Sequence, residues 1–162
     1  MGRKESKGRS RLVAVMRTAD CAYDRADRPE IDVINAILAK LLLKSNWRLS
    51  NKSTMTMVWI LHHAATSTTQ LHAAYVLASR LRVQGVTSAS WVAVVAYDRL
   101  RVMQGRPQRF GTQYHLSQDG SRWDLYWWEE KESDRWRTLA GLPPASSVPR
   151  SLPRGQLRGP GS

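Results

Sequence analysis

The sequence predicts a mainly α fold: a helical bundle of about five helices with one β-hairpin and a short C-terminal helix. Three observations carry this expectation. Apolar residues recur at helical spacing through most of residues 10–103. The segments between these stretches are short relative to the helices. Late in the chain, Asp119-Gly120 sits between two short strand-like segments, a strong hairpin signal.

In chain order, residues 1–9 are polar and charged and read as a disordered basic arm. Ser10 to Arg25 places Leu12, Val13, Val15, Met16, Ala19 and Tyr23 at helical spacing, until Arg28-Pro29 breaks the pattern. A second helix is expected from about Glu30 to Lys44, with Ile31, Ile34, Ile37, Leu38, Leu41 and Leu42 as its apolar stripe. Ser53 or Thr54 can cap a third helix through Met57, Trp59, Ile60 and Leu61. Thr66-Ser67-Thr68-Thr69 interrupts it, and a fourth helix follows through Leu71, Tyr75, Leu77 and Leu81 to Gly85. A fifth opens at Ser88 or Ser90 and runs to Met103. Phe110–Leu116 and Ser121–Trp128 form the hairpin, and a last helix spans Glu132 to Ala140 before Gly141 and Pro143-Pro144. Residues 10–145 are read as one domain, and the Ser, Pro, Gly and Arg of 146–162 as a disordered tail.

At 162 residues the chain can bury a real core. No apolar run approaches the roughly 20 residues of a membrane helix, and no apolar signal region follows the N-terminus, so a soluble cytoplasmic protein is expected. The one cysteine, Cys21, lies on an apolar helix face and reads as packing. A net charge of +12 invites a nucleic-acid reading. Its distribution weakens that reading: residues 1–30 carry 8 basic and 5 acidic side chains (+3), 31–146 carry 14 and 8 (+6), and 147–162 carry 3 and none (+3), so half of the excess lies in the terminal arms. Charge alone implies a weak, salt-sensitive affinity for polyanions.

The segment from Asp98 to Gln113 is the densest in chemistry. Gly105 and Pro107 stop a helix, Gln108, Thr112 and Gln113 surround Arg109 with amides and a hydroxyl, and Gly111 permits close backbone approach. Gln108, Thr112 and Gln113 either satisfy backbone groups at the hairpin entry or bind a polar ligand. Asp98-Arg99 is either an internal pair that fixes the turn or, through Arg99, a carboxylate or phosphate clamp. His63 ends an apolar helix, where an imidazole is either a general base, with Asp98 as a distant partner, or a hydrogen-bonded helix end. His63 and His72 would lie about 180° apart on a continuous helix, which disfavours a metal site. The two glycines around Arg109 lack the Lys-Ser/Thr ending of a phosphate loop. No metal or cofactor is therefore expected. Trp47, Trp59 and Trp91 fall on apolar helix faces, whereas Trp123, Trp127, Trp128 and Trp136 gather around the hairpin. Trp127 and Trp128 must face opposite sides of a strand.

Several words in this sequence resemble a bacterial family, domain of unknown function 6624, over about residues 33–145. Asn35 followed by Asn46-Trp47 resembles the family's Asn and Gly-Trp-Pro. Trp59–Ala65 resembles its helix ending in Gln-His-Ala-Asp, and Gln70 falls on a further family glutamine. Tyr97-Asp98-Arg99 resembles Leu-x-Asp-Arg, Gly105–Gln113 resembles the Gly-Lys/Arg-x-Gln-x-Tyr-Gly-Thr-Gln block, and Arg137–Pro144 resembles an ending of Arg, then Gly-Leu-Pro-Pro. His62, Ala65 and Phe110 replace the family's Gln, Asp and Tyr, so a histidine–carboxylate pair next to His63 is missing here. The resemblance implies a layout and brings no activity with it.

Together these readings give an expected site of His63 and Gln70 with Asp98, Arg99, Gln108, Thr112 and Gln113, and an expected partner that is a small polar or anionic molecule. An enzyme using His63 as base and a basic nucleic-acid-binding module are the alternatives.

Overall fold

The computed structural model describes residues 37, 41, 44, 49–63 and 65–153. It is mainly helical with a small antiparallel sheet: α1 (Asn51–His63), α2 (Thr68–Val83), α3 (Ser88–Met103), β1 (Tyr114–Leu116), β2 (Arg122–Leu125), α4 (Glu130–Leu139), a 3-10 turn (Ala145–Ser147) and β3 (Ser151–Pro153). Four helices are thus described from end to end, not the five and a short sixth that periodicity suggested. The expected helix over Ser10–Arg25, with Cys21, lies outside the described residues, as does Trp47. Ile37, Leu41 and Lys44 are helical, as expected for the second helix. Ile37 and Leu41 are nonetheless exposed: spacing identifies a stripe but does not supply what would cover it. Among the described residues no helix is long and apolar enough to cross a membrane.

The chain clusters into two compact units divided between Ala96 and Tyr97, within α3. In the first unit, Met57, Val58, Ile60 and Leu61 of α1 meet Ala74, Ala78 and Leu81 of α2 and Ala89, Val92, Ala93, Val95 and Ala96 of α3. The many alanines shorten the distance at which helix backbones can pack, and the long aliphatics fill what remains. Trp59 and Trp91 lie against this core partly buried, as their positions on apolar faces predict.

The break between α1 and α2 has a definite construction. Ser67 is the N-cap of α2, and its hydroxyl accepts from the Gln70 amide. The Gln70 side chain turns back, and its Oε1 accepts from the Thr66 amide at 2.8 Å and from the Thr66 and Ser67 hydroxyls. Ser-x-x-Gln is the sequence of a capping box, here with the returning side chain reaching one residue further back. Gln70, assigned to ligand binding from the sequence, is buried and serves this cap.

In the second unit the sheet has the order β1-β2-β3. Tyr114 pairs with Leu125 and Leu116 with Trp123 across the hairpin. The Asp119-Gly120 turn forms as expected: Asp119 Oδ1 accepts from the Ser117 hydroxyl and from the amide and hydroxyl of Ser121, which holds its carboxyl well below the usual range. The strands are shorter than predicted, and a third is added: Trp123 pairs with Leu152 and Asp124 with Ser151. Residues 151–153 therefore leave the expected disordered tail and become β3, because the open edge of β2 offers partners that the tail's own composition does not reveal. Trp127 and Trp128 point opposite ways, at 71% and 7% exposure, as neighbours in an extended segment must.

The cap has a measurable weight. Ser67→Ala should lower stability by about 1 kcal/mol in urea unfolding, the usual cost of losing an N-cap hydroxyl. A change under about 0.3 kcal/mol would mean that the hydroxyl contributes nothing to the start of α2.

Candidate functional site

The loop between α3 and β1 is built around one carboxylate. Asp98 lies near the end of α3 and is fully buried. Its Oδ1 accepts from the amides of Arg109 (2.8 Å) and Phe110 (3.1 Å). Its Oδ2 accepts from the amides of Phe110 and Thr112 (both 3.1 Å) and from the Thr112 hydroxyl at 3.0 Å. Every group that reaches it is a donor, an arrangement that suits an ionised carboxylate. Burial holds the Asp98 carboxyl above its ordinary range, a rise that these donors reduce without cancelling.

Gln108 is the second fixed point and is also fully buried. Its Nε2 donates to the carbonyls of Gln113 and Tyr126, both at 3.0 Å, and its Oε1 accepts from the amides of Thr112 (2.9 Å) and Gln113 (2.8 Å). The two amide protons and the two carbonyl lone pairs are all used. Its backbone ties the loop to the segment after β2, accepting from Glu129 and donating to Trp127. Gln113 Nε2 donates to Thr112 Oγ1, so this hydroxyl links Asp98 to Gln113.

The geometry of the chain around these anchors follows from two glycines. Gly105 (φ +66) ends α3, with the Arg106 amide returning to the Arg101 carbonyl across the turn. Gly111 (φ +69) lies flat against Trp128: a Cβ there would sit 3.0 Å from the indole ring. The Trp128 Nε1 donates to the Arg109 carbonyl and closes this contact.

Four arginines of the unit have internal acceptors. Arg101 donates through Nε to the Pro107 carbonyl and lies 3.6 Å from Glu129. Arg122 pairs with Asp124, and Arg150 with Glu130. Arg137 is buried and donates to the carbonyls of Pro143 and Phe110; burial lowers its proton affinity, against the pull of Asp98 and Asp134. Arg109 differs. Its guanidinium carbon lies 4.4 Å from the centroid of Trp136 and 5.5 Å from that of Tyr97, held by ring faces. Its Nε is buried without a hydrogen-bond partner.

Of the residues expected at the site, the structure brings Asp98, Gln108, Thr112 and Gln113 into one network. Gln108 takes the first of its two readings, its side chain satisfying backbone groups of the hairpin entry, whereas the Thr112 hydroxyl joins two side chains, the Asp98 carboxylate and the Gln113 amide. Arg99 follows Asp98 on α3 and is half-buried. His63 and Gln70 belong to the first unit. There His63 ends α1 half-buried, with its ring stacked on Trp59 at 5.4 Å and close to that of His62. Sequence reasoning gave no role to Arg137, Trp128 or the stacking of Arg109. The Arg137–Pro144 words hinted at the first, since an arginine a fixed distance before a Gly-Leu-Pro-Pro turn is well placed to reach its carbonyls.

Among the described residues no three His, Cys, Asp or Glu side chains gather into a metal site. No family model matches the chain, nor does any curated protein or solved structure.

Two substitutions probe the loop. Asp98→Asn turns an amide NH2 toward backbone N–H groups and should destabilise the protein by about 2–4 kcal/mol, the range for breaking a buried charge-assisted network. Equal denaturation midpoints for the two proteins would exclude this role. Gly111→Ala combines a disfavoured φ with contact against Trp128, and should cost about 1–3 kcal/mol and shift the tryptophan emission. Unchanged stability and emission would show that the loop simply moves aside.

Proposed function

We propose that the second unit binds a small anionic molecule, with Arg109 holding its carboxylate or phosphate. One observation carries this reading: Arg109 is stacked between Tyr97 and Trp136, while its Nε lacks a partner. A guanidinium is planar and always charged, and its N–H fork matches an oxyanion in two-point contact. Contact with the two ring faces restrains the side chain, so less rotamer entropy remains to be lost on binding. Arg101, Arg122, Arg137 and Arg150 are already engaged by carbonyls or carboxylates.

The buried network supports the reading from beneath. Asp98 accepts the Arg109 amide and Trp128 donates to its carbonyl, so the backbone from which the guanidinium extends is held on both sides. The words that resemble domain of unknown function 6624 run through this same loop, from Gly105 to Gln113. Residues 97–153 hold 9 basic and 7 acidic side chains, a net +2, which suits one anchored anion better than a nucleic-acid backbone.

Titration with inorganic phosphate and with small mono- and dicarboxylates, followed by amide NMR, tests the proposal. Arg109→Lys keeps the charge but loses the planar fork, and should weaken the best ligand by about tenfold or more. Shifts that avoid residues 108–113, or equal affinity in the variant, would sink it.

A further inference from the structure

The edge of β2 is occupied by a segment with unusual chemistry for a strand, Pro149-Arg150-Ser151-Leu152-Pro153. It is read by five groups, from β1, β2, the segment after β2 and α4. The Leu125 amide donates to the Arg150 carbonyl at 2.9 Å, and the Tyr114 hydroxyl donates to the Pro149 carbonyl at 2.9 Å. The Arg150 guanidinium lies 5.1 Å from the Trp128 ring and pairs with Glu130. Leu152 is half-buried and sits opposite Trp123.

The hold is specific and weak. None of residues 149–153 is buried. Arg150 and Glu130 are 60% and 53% exposed, so water screens their attraction. A three-residue edge strand with no buried side chain belongs to the part of a fold that opens locally at small cost. When it opens, β2 presents free backbone groups beside an indole face and a carboxylate. That is a strand-addition site with a pocket for a cation.

We propose that this edge docks an extended, proline-flanked peptide of the form Pro-Arg-x-Leu-Pro from a partner protein, and that residues 149–153 occupy it in cis. The main-chain ladder supplies affinity for any extended chain. Trp128 and Glu130 select arginine at the second position, Trp123 selects leucine at the fourth, and the prolines stop further strands from adding to the outer edge.

The probe is a fluorescein-labelled peptide with the sequence of Val148–Pro153, read by anisotropy against the full chain. Arg150→Ala together with Leu152→Asp weakens the resident strand, so the peptide should bind this variant at least tenfold more tightly than wild type. A scrambled peptide should not bind, and adding Glu130→Gln should weaken binding about fivefold, the scale of an exposed ion pair. Absence of saturable binding to a variant that keeps the wild-type circular dichroism, or equal binding of the scrambled peptide, overturns the proposal. If the double variant does not fold, Arg150→Ala alone carries the comparison: it should bind the peptide about threefold more tightly than wild type, and equal affinity overturns the proposal.

Discussion

The Asp98 carboxylate is the fixed point of the second unit. Three amides and a hydroxyl from residues 109–112 converge on it, and the loop they belong to has no other route to burying so many donors. Gln108 performs the complementary task one step along, accepting from amides and donating to carbonyls. With both in place the loop is pinned to α3 and to the segment after β2. Gly111 can then lie on Trp128, Arg109 can stack on Trp136, and Arg137 can close over the Phe110 carbonyl. These later contacts all depend on a backbone path that only the two buried polar side chains define.

How far the sequence revealed this varies with the physics involved. Helices α1 to α4 were legible because apolar spacing and terminal glycines lie within a few residues of what they control; the caps were less so, since Ser53 and Thr54 fall inside α1 and it is the Ser50 hydroxyl that accepts the Ser53 amide. The Asp98–Gln113 segment was legible as exceptional because it concentrates polar groups where a turn needs few. What those groups do was not legible. Gln70 is the sharpest example, since a glutamine that closes a capping box and one that faces a ligand are the same letter, and only the position of the Thr66 amide separates them.

β3 was misread for a related reason. Ser, Pro and Arg describe a segment that cannot bury a core by itself, and that inference about its intrinsic preference is sound. Order came from elsewhere, from the unpaired edge of β2 and the ring of Trp128, which lie 20 or more residues away in the chain. The arginines show the same limit. Arg109 and Arg137 are equivalent by residue type, and their difference arises from where carbonyl oxygens happen to fall in space.

Because Asp98 grips main-chain amides, the identity of the side chains at 109 and 110 is uncoupled from the grip. Holding and displaying are assigned to different atoms. The loop is in this sense a mount whose fittings can be exchanged: a phenylalanine for a tyrosine at 110, or another group in place of the guanidinium at 109, alters what is presented while the mount stays in place. Selection, natural or directed, could therefore retune the chemistry shown here in single steps, whereas a change at 98, 108 or 111 would remove the surface on which any such chemistry is mounted.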